Sequence, residues 1–459
     1  MLCHTTMMAF LAGITQPGRP NTVGHVDHET MPIRCHYDDA DYIDKCTDLL
    51  VYAEDAWLKQ VDEIGFEAPI MDTDGILDIY VYNYSSGGAY TYCSVWQDGD
   101  SSDDMTGCPA WMGFDRRISD DELASYMAHE FNHVLQYATD FNEMTLPIWE
   151  ATATAAEQWT YPDKLTPLVG YINDYQAVPW LGLFSDGYFL WHEKNVWSSY
   201  EYGAATWILH LDHHYGDGAG SAGAAIWRAL AQGGNTNSVD VIDGYEAVTG
   251  DWQEAYLWMS AERARIGGDN PPEWLDYGNP RTQVAIDGSY GAKDMPVTHD
   301  PITDPFGTGA VYVEVTEAVG DGGLRVDVTG DEGTWGIVAV SDDDILWEKG
   351  STLSWDHPGP VTFGVVNIDH DMVATTGREV HLTDSRREIT ITITPYSIDD
   401  TGGSDTGNND TTNNGGNNNG GNNGDTDGKE GGGGCSALPL SMAGGWLLLM
   451  PVLLSRRNP

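Results

Sequence analysis

The chain has 459 residues, of which 41% are hydrophobic, a length that accommodates two or three domains with separate cores. Its 71 acidic residues outnumber its 21 lysines and arginines, which gives a formal net charge of -50. Such a charge repels nucleic acids and anionic membranes, so neither is expected as a binding partner. The negative charge favours binding of cations or cationic substrates, or a saline environment. A role in solubility alone also accounts for this charge.

Residues 1–19 are a candidate export signal of unusual form. The stretch 7–14 is apolar, but no lysine or arginine precedes it, whereas a secretory signal normally has a basic start. We therefore expect either an atypical signal or a true start elsewhere.

Four cysteines lie in the first quarter of the chain, at Cys35, Cys46, Cys93 and Cys108. They allow three disulfide pairings, and sequence alone does not choose among them. We favour the pairing of neighbours, which closes two short loops. Neither a CxxC pair nor a Cys/His zinc spacing is present, so disulfides are expected rather than a metal site. Disulfides in turn predict an oxidising compartment.

Residues 20–285 are predicted to form one α+β domain. Strand patterns over 76–82 and 89–93 come first, and helical patterns dominate after them. The predicted helices cover residues 120–138, 147–160, 200–215, 221–232 and 251–265.

The segment Asp72-Thr73-Asp74-Gly75-Ile76-Leu77-Asp78 resembles the opening of a calcium loop. An EF-hand requires a glutamate at loop position twelve, but Asn83 stands there. A polar turn before the first predicted strand is the simpler interpretation, and a Ca2+ site of another type is the alternative.

Residues 129–133 read His-Glu-Phe-Asn-His. Helical residues four apart share a face, so His129 and His133 can chelate one ion, and Zn2+ suits such ligands. Glu130 lies beside them, where it could take a proton from a metal-activated water. The motif alone is weak, because in a chain with 14 histidines it arises by chance in roughly a few per cent of cases.

The helix that carries this motif has its own sequence signals. Ser119 and Glu122 have the spacing of a capping box, with Ser119 as the N-cap and Glu122 at the third helical position. Apolar residues then recur at helical spacing, at Leu123, Met127, Phe131, Val134 and Leu135. The pattern predicts a helix with both histidines on one face.

A second helix, predicted over 147–160, offers the remaining ligand. Its proline at position 147 is tolerated in a first turn, and Glu150 and Glu157 lie two turns apart among small residues. Small residues let two helices approach closely, and two inward carboxylates need a cation to neutralise them. A catalytic zinc has three protein ligands, and the continuation at 134–137 excludes the metzincin pattern HExxHxxGxxH.

Together these motifs resemble the gluzincin class of HExxH zinc metallopeptidases. The nearer likeness is to exported metalloproteases of myxobacteria, with His-Glu-Phe-x-His followed by Trp-x-Glu-Ala-Thr-Ala-Thr; here Trp149 directly precedes the glutamate. The resemblance spans residues 70–265. It implies a zincin-like fold and a strand near 89–92 that pairs with an extended substrate. It also implies roles for particular residues: His129, His133 and Glu150 as zinc ligands, Glu130 as general base, and Glu157 as an orienting carboxylate or alternative ligand.

The helix predicted over 200–215 opens with Tyr200-Glu201-Tyr202-Gly203. Aminopeptidase-type gluzincins have Tyr-Glu-Lys-Gly at the comparable point, so the match implies that Tyr200 stabilises the oxyanion, with Tyr202 replacing the lysine. A tyrosine of the core or rim is the alternative. His213 and His214 end this helix, where a polar group is favourable, and we expect no metal there.

Residues 300–398 are predicted to form an antiparallel β-sandwich domain. Alternating patterns at 311–315, 324–328 and 389–393 are separated by Gly, Asp and Pro, which is typical of such domains. We find no catalytic constellation among these residues.

Residues 399–434 have the composition of a disordered linker. The segment 435–459 starts at Cys435 and holds an apolar run that ends before Arg456 and Arg457, just long enough to span a bilayer as a helix with the arginines cytoplasmic. This order of features resembles the myxobacterial C-terminal sorting signal. The resemblance implies export, anchoring at the cell surface or outer membrane, and processing near Cys435.

The sequence thus predicts zinc-dependent hydrolysis of peptide bonds in exported or surface proteins, with endopeptidase activity favoured over exopeptidase activity. The expected partner is a protein or peptide substrate. A surface adhesin with a structural or vestigial zinc site is the alternative, and a zinc hydrolase acting on another bond is a third reading.

Overall fold

The computed structural model describes residues 18–84, 87–94, 107–141, 143, 145–163, 168–185, 198–232, 241–275, 282–320, 322–369 and 386–397. All of them belong to one compact unit. Nearly all of the predicted export segment, the linker 399–434 and the segment 435–459 lie outside the described residues. Among the helices that are described, none has the length and apolarity needed to cross a membrane.

The amino-terminal part is built on a mixed five-stranded sheet in the order β1-β2-β3-β5-β4. The three central strands run parallel, and the two outer strands pair antiparallel to them. Central strands are covered on both faces, which is why β3 and β5 are apolar and buried almost throughout. The strands are β1 Gly24–Asp27, β2 Ile33–Tyr37, β3 Leu77–Tyr82, β4 Ala89–Cys93 and β5 Ala110–Asp115.

Two disulfides fasten this sheet. Cys35 of β2 is joined to Cys46 of the first helix, and Cys93 at the end of β4 is joined to Cys108 just before β5. The pairing of neighbours favoured from the sequence is confirmed.

Apart from one helix between β2 and β3, the described helices follow the sheet along the chain, and each predicted helix is present. The segment predicted as one helix over 200–215 divides after Gly203 into α5 and α6, while α1, α4 and α8 were not predicted. The helices are α1 Ile43–Trp57, α2 Leu123–Asp140, α3 Leu146–Thr160, α4 Leu168–Ala177, α5 Tyr200–Gly203, α6 Ala205–Tyr215, α7 Ser221–Leu230, α8 Val241–Thr249 and α9 Trp252–Arg265.

The helix α2 lies at the centre of this part of the molecule. It packs against the strands β4 and β5 and against the helices α1 and α3, so nearly all of its side chains are buried. Its start differs from the prediction, because α2 begins at Leu123 and Ser119 is not its N-cap. The Ser119 hydroxyl instead donates to the Glu122 carboxylate at 2.6 Å, within the turn before the helix.

Two further sheets form the carboxy-terminal part, in the orders β11-β10-β13-β8-β6 and β12-β9-β14-β7. Apolar side chains from both sheets meet in one core, as in a sandwich. The pairing is antiparallel except between β6 and β8, and β6 and β7 precede residue 300. The strands are β6 Ile286–Tyr290, β7 Val297–His299, β8 Ala310–Val315, β9 Gly323–Gly330, β10 Trp335–Val340, β11 Ile345–Lys349, β12 Thr352–Trp355, β13 Val361–Asn367 and β14 Ile389–Tyr396.

The strand β10 contributes side chains to two cores, one within the sandwich and one shared with the helices. Side chains alternate across a strand, so Ile337 and Ala339 face the core between the sheets. Val338 and Val340 belong to the core beneath α9. The apolar sequence Trp-Gly-Ile-Val-Ala-Val is therefore buried along its whole length.

Candidate metal centre

Three predicted ligands meet between α2 and α3. His129 Nε2 lies 3.2 Å from Glu150 Oε2, and His133 Nε2 lies 3.6 Å from the same oxygen. One ligand atom from each residue lies within 4.8 Å of the others, and all three residues are buried. We call His129, His133 and Glu150 the first cluster. The small residues of α3, such as Ala151, Ala153 and Ala155, are themselves fully or almost fully buried, which fits the close helix approach predicted from them.

The outer nitrogens of the two imidazoles have fixed partners. His129 Nδ1 lies 2.9 Å from Glu157 Oε1, and Ser125 donates to the other oxygen of that carboxylate. His133 Nδ1 lies 2.7 Å from Gln136 Oε1, whose amide nitrogen donates to Asn132. Both Nδ1 atoms therefore act as donors, so each ring directs its Nε2 towards Glu150, where the neutral form of the ring can ligate a metal ion.

The electrostatics of the first cluster favour a positive charge. Burial alone would lower the pKa of His129, but hydrogen bonds to Glu150 and Glu157 outweigh it and raise the pKa to about 10. Burial alone would raise the pKa of Glu150, but His129 and His133 hold it well below its usual range. The pocket therefore stabilises a cation among these groups.

The donor set of the first cluster fits zinc. Two imidazole nitrogens and one carboxylate are the ligands of many catalytic zinc sites. Glu150 Oε1 is buried and has no hydrogen-bond partner among the described residues, which is costly for an anionic oxygen unless a cation lies beside it. Glu157 and Gln136 supply the outer partners that such a site requires.

Glu130 is buried next to the ligands and is joined to β4. The Thr91 hydroxyl lies 2.7 Å from Glu130 Oε2 and 2.9 Å from the Glu130 backbone oxygen. Burial raises the pKa of Glu130, and the neighbouring His133 and His129 oppose that rise. A carboxyl group with a raised pKa is better suited to accept and return a proton.

The two tyrosines of α5 have different surroundings. The Tyr200 hydroxyl donates to the Leu181 backbone oxygen at 2.6 Å, and its ring lies against Tyr175. The Tyr202 ring instead stacks beside His129, with a centroid distance of 5.8 Å. The geometry therefore favours Tyr202 as the tyrosine of the site, and the oxyanion role of Tyr200 stays a prediction.

The acidic loop before β3 is neutralised by the chain itself. The Arg19 guanidinium contacts the carboxylates of Asp72 and Asp78, and Arg34 lies 3.7 Å from Asp74. Of the described His, Cys, Asp and Glu side chains, two groups are spaced to hold a metal, and this loop is not in either.

The other group contains His214, where no metal was expected from the sequence. His214 lies with His210 and Glu262, and their ligand atoms fall within 4.8 Å of one another. The sequence signal for this group is the spacing of His210 and His214, which lie four residues apart on α6, as His129 and His133 do on α2. No pattern links them to Glu262, which lies on α9.

Comparison of the sequence with models of known protein families finds no match. Comparison with curated proteins finds no significantly similar sequence. The functional interpretation therefore depends on the residues themselves.

Proposed function

We propose that the chain is a zinc-dependent peptidase with a zincin-like catalytic domain, whose metal ligands are His129, His133 and Glu150. The observation that carries the proposal is the convergence of two imidazole Nε2 atoms on one buried carboxylate, with Glu130 adjacent. A site that only held a metal would not need the additional buried carboxylate.

The residues of the chain divide the catalytic work. A bound zinc would supply the Lewis acid that activates a water molecule. Glu130 accepts a proton from that water and returns it to the leaving amine. Glu157 and Gln136 keep the imidazoles in the orientation that ligation requires. Tyr202, beside His129, is the tyrosine that we assign to the substrate oxygen.

The substrate we propose is an extended polypeptide. β4 is an outer strand of its sheet, with a partner strand on one side in the described structure. Thr91 of β4 contacts Glu130, so a chain paired with the outer edge of β4 would pass close to the general base. We propose that the substrates are exported or surface proteins, because the two disulfides of this chain are typical of an oxidising compartment. We extend it to anchoring through the segment 435–459.

The test is hydrolysis of casein by the purified protein, compared with Glu130→Gln and Glu122→Gln. Glu122 is exposed, just before α2, so its variant controls for the loss of one negative charge. We expect Glu130→Gln to bind zinc and to lose ~10²–10⁴-fold in rate, as removal of a general base does, while Glu122→Gln keeps the parental rate. A parent that binds zinc and hydrolyses no peptide bond would overturn the proposal and favour the adhesin alternative.

A further inference from the structure

A second group of metal-ligating side chains lies between α6 and α9. His210 and His214 are on α6, and Glu262 is near the end of α9. We call His210, His214 and Glu262 the second cluster. It repeats the residue types of the first cluster, with two histidines four apart on one helix and a glutamate from another. The second cluster is independent of the proposed function.

The nitrogens of the second cluster crowd around one carboxylate. His210 Nδ1 lies 2.8 Å from Glu262 Oε2, and His214 Nε2 lies 3.2 Å from Oε1 and 3.3 Å from Oε2. The Trp274 indole also donates to Oε2, at 2.6 Å. An indole N–H can only donate, whereas each imidazole nitrogen here can act as donor or as ligand. The two imidazole nitrogens and the carboxylate are therefore placed as ligands around one position.

Aromatic side chains hold the two imidazoles in place. His210 is fully buried, and Trp207 stacks on it with a centroid distance of 5.6 Å and an interplanar angle of 16°. The Trp258 ring lies 3.7 Å from His214, centroid to centroid, and stacks in turn on Trp347 of β11. Because the rings are fixed by packing, little side-chain entropy remains to be lost when an ion binds.

We propose that the second cluster binds a divalent ion of the zinc class, with His210, His214 and Glu262 as its ligands. Two imidazoles and one carboxylate favour zinc over calcium or magnesium, which prefer oxygen ligands. The side chains of His214 and Glu262 are 14% and 12% exposed, so an ion can reach the site from solvent.

The role of this ion is to join α6 to α9 rather than to activate water. Leu211 follows His210 where Glu130 follows His129, so the second cluster lacks a general base at the corresponding position. The bound ion instead connects α9, which packs against β10 and β11, to the helix α6.

The experiment is metal analysis of the full chain after saturation with ZnCl2 and dialysis, comparing the parent with His214→Gln and His213→Ala. Glutamine can still donate a hydrogen bond to Glu262 but is a poor zinc ligand, and His213 is an exposed neighbour outside the cluster. Circular dichroism checks that each variant is folded. We expect two zinc ions per chain in the parent and in His213→Ala, and one in His214→Gln.

Equal zinc content in the parent and in folded His214→Gln would overturn the second site and leave a hydrogen-bonded His/Glu network. The variant Glu150→Ala, analysed in parallel, reports on the first cluster alone. Failure of the peptidase proposal and failure of the second site are therefore distinguishable.

Discussion

The two clusters each contain two histidines and one glutamate but differ in what surrounds these residues. In the first cluster, Glu157 and Gln136 fix the outer nitrogens of both imidazoles, and Glu130 adds a carboxylate beside the ligands. In the second cluster, no described side chain bonds to the buried His210 Nε2, and Leu211 takes the place of a general base. The ligands alone therefore do not distinguish a catalytic centre from a structural site, whereas the groups around them do.

The histidine pKa shifts also differ between the two clusters. Burial lowers the pKa of His210 to about 4, and Glu262 opposes that shift only in part. His129 has two carboxylate partners, and its pKa rises to about 10. The first cluster is the more strongly negative environment, which agrees with the proposal that it holds a cation.

The largest expected effect on zinc binding at either cluster comes from removal of its carboxylate. Glu150→Ala is expected to lower the zinc affinity of the first cluster by more than the ~100-fold that loss of an outer partner costs. It should leave one zinc per chain and abolish hydrolysis. The matched change Glu262→Ala should also leave one zinc, and competition with a chromogenic chelator measures both affinities. Two tightly bound ions in Glu150→Ala would contradict the assignment.

The two tyrosines of α5 offer the next largest effect. Tyr202→Phe is expected to lower kcat by ~10²-fold, the effect of removing one oxyanion donor, with zinc content unchanged. Tyr200→Phe removes a hydrogen bond to the Leu181 oxygen, so we expect a loss of ~1–3 kcal/mol in the free energy of unfolding. Steady-state kinetics and denaturant unfolding of both variants test this assignment. A loss of kcat in Tyr200→Phe, with kcat unchanged in Tyr202→Phe, would identify Tyr200 as the catalytic tyrosine.

Removal of an outer partner sharpens the comparison further. Glu157→Gln keeps an acceptor near His129 but removes the negative charge, so the zinc affinity of the first cluster should fall by ~10–100-fold. Isothermal titration with ZnCl2 measures it, and the second cluster serves as the internal control. An unchanged affinity at the first cluster would show that Glu157 has no influence on ligation.

The smallest effect is expected at the second cluster. Trp274→Phe removes the indole that donates to Glu262, which should lower the zinc affinity there by ~10-fold, at the low end for an outer partner. The first cluster should keep its affinity in the same titration. A fall at the first cluster instead would mean that the two clusters are not independent.

The local part of the first cluster could be predicted from the sequence. Four-residue spacing on a helix places His129 and His133 together, and the small residues around Glu150 indicate close helix packing. The second cluster could not be predicted, because Glu262 lies on a helix that reaches α6 only through tertiary packing. The same limit applies to Tyr200 and Tyr202, because their partners Leu181 and His129 come from other parts of the chain.

The fold shows the same division between local and long-range information. Long amphipathic helices and the strands β3 and β4 have clear local periodicity, and they were found close to their predicted bounds. The strand β5 was missed because it is apolar on both faces and lacks alternation. Ser119 and Glu122 have the capping-box spacing, yet they bond to each other before α2 begins.

The most direct measurement is anomalous diffraction at the zinc edge from crystals of the full chain. We predict a peak coordinated by His129 Nε2, His133 Nε2 and Glu150, at the ~2.0–2.2 Å typical of zinc–nitrogen and zinc–oxygen bonds, and a second peak at the His210, His214 and Glu262 side chains. A zinc peak at neither cluster, or at the second cluster alone after saturation, would contradict the account of the first cluster as a catalytic metal centre.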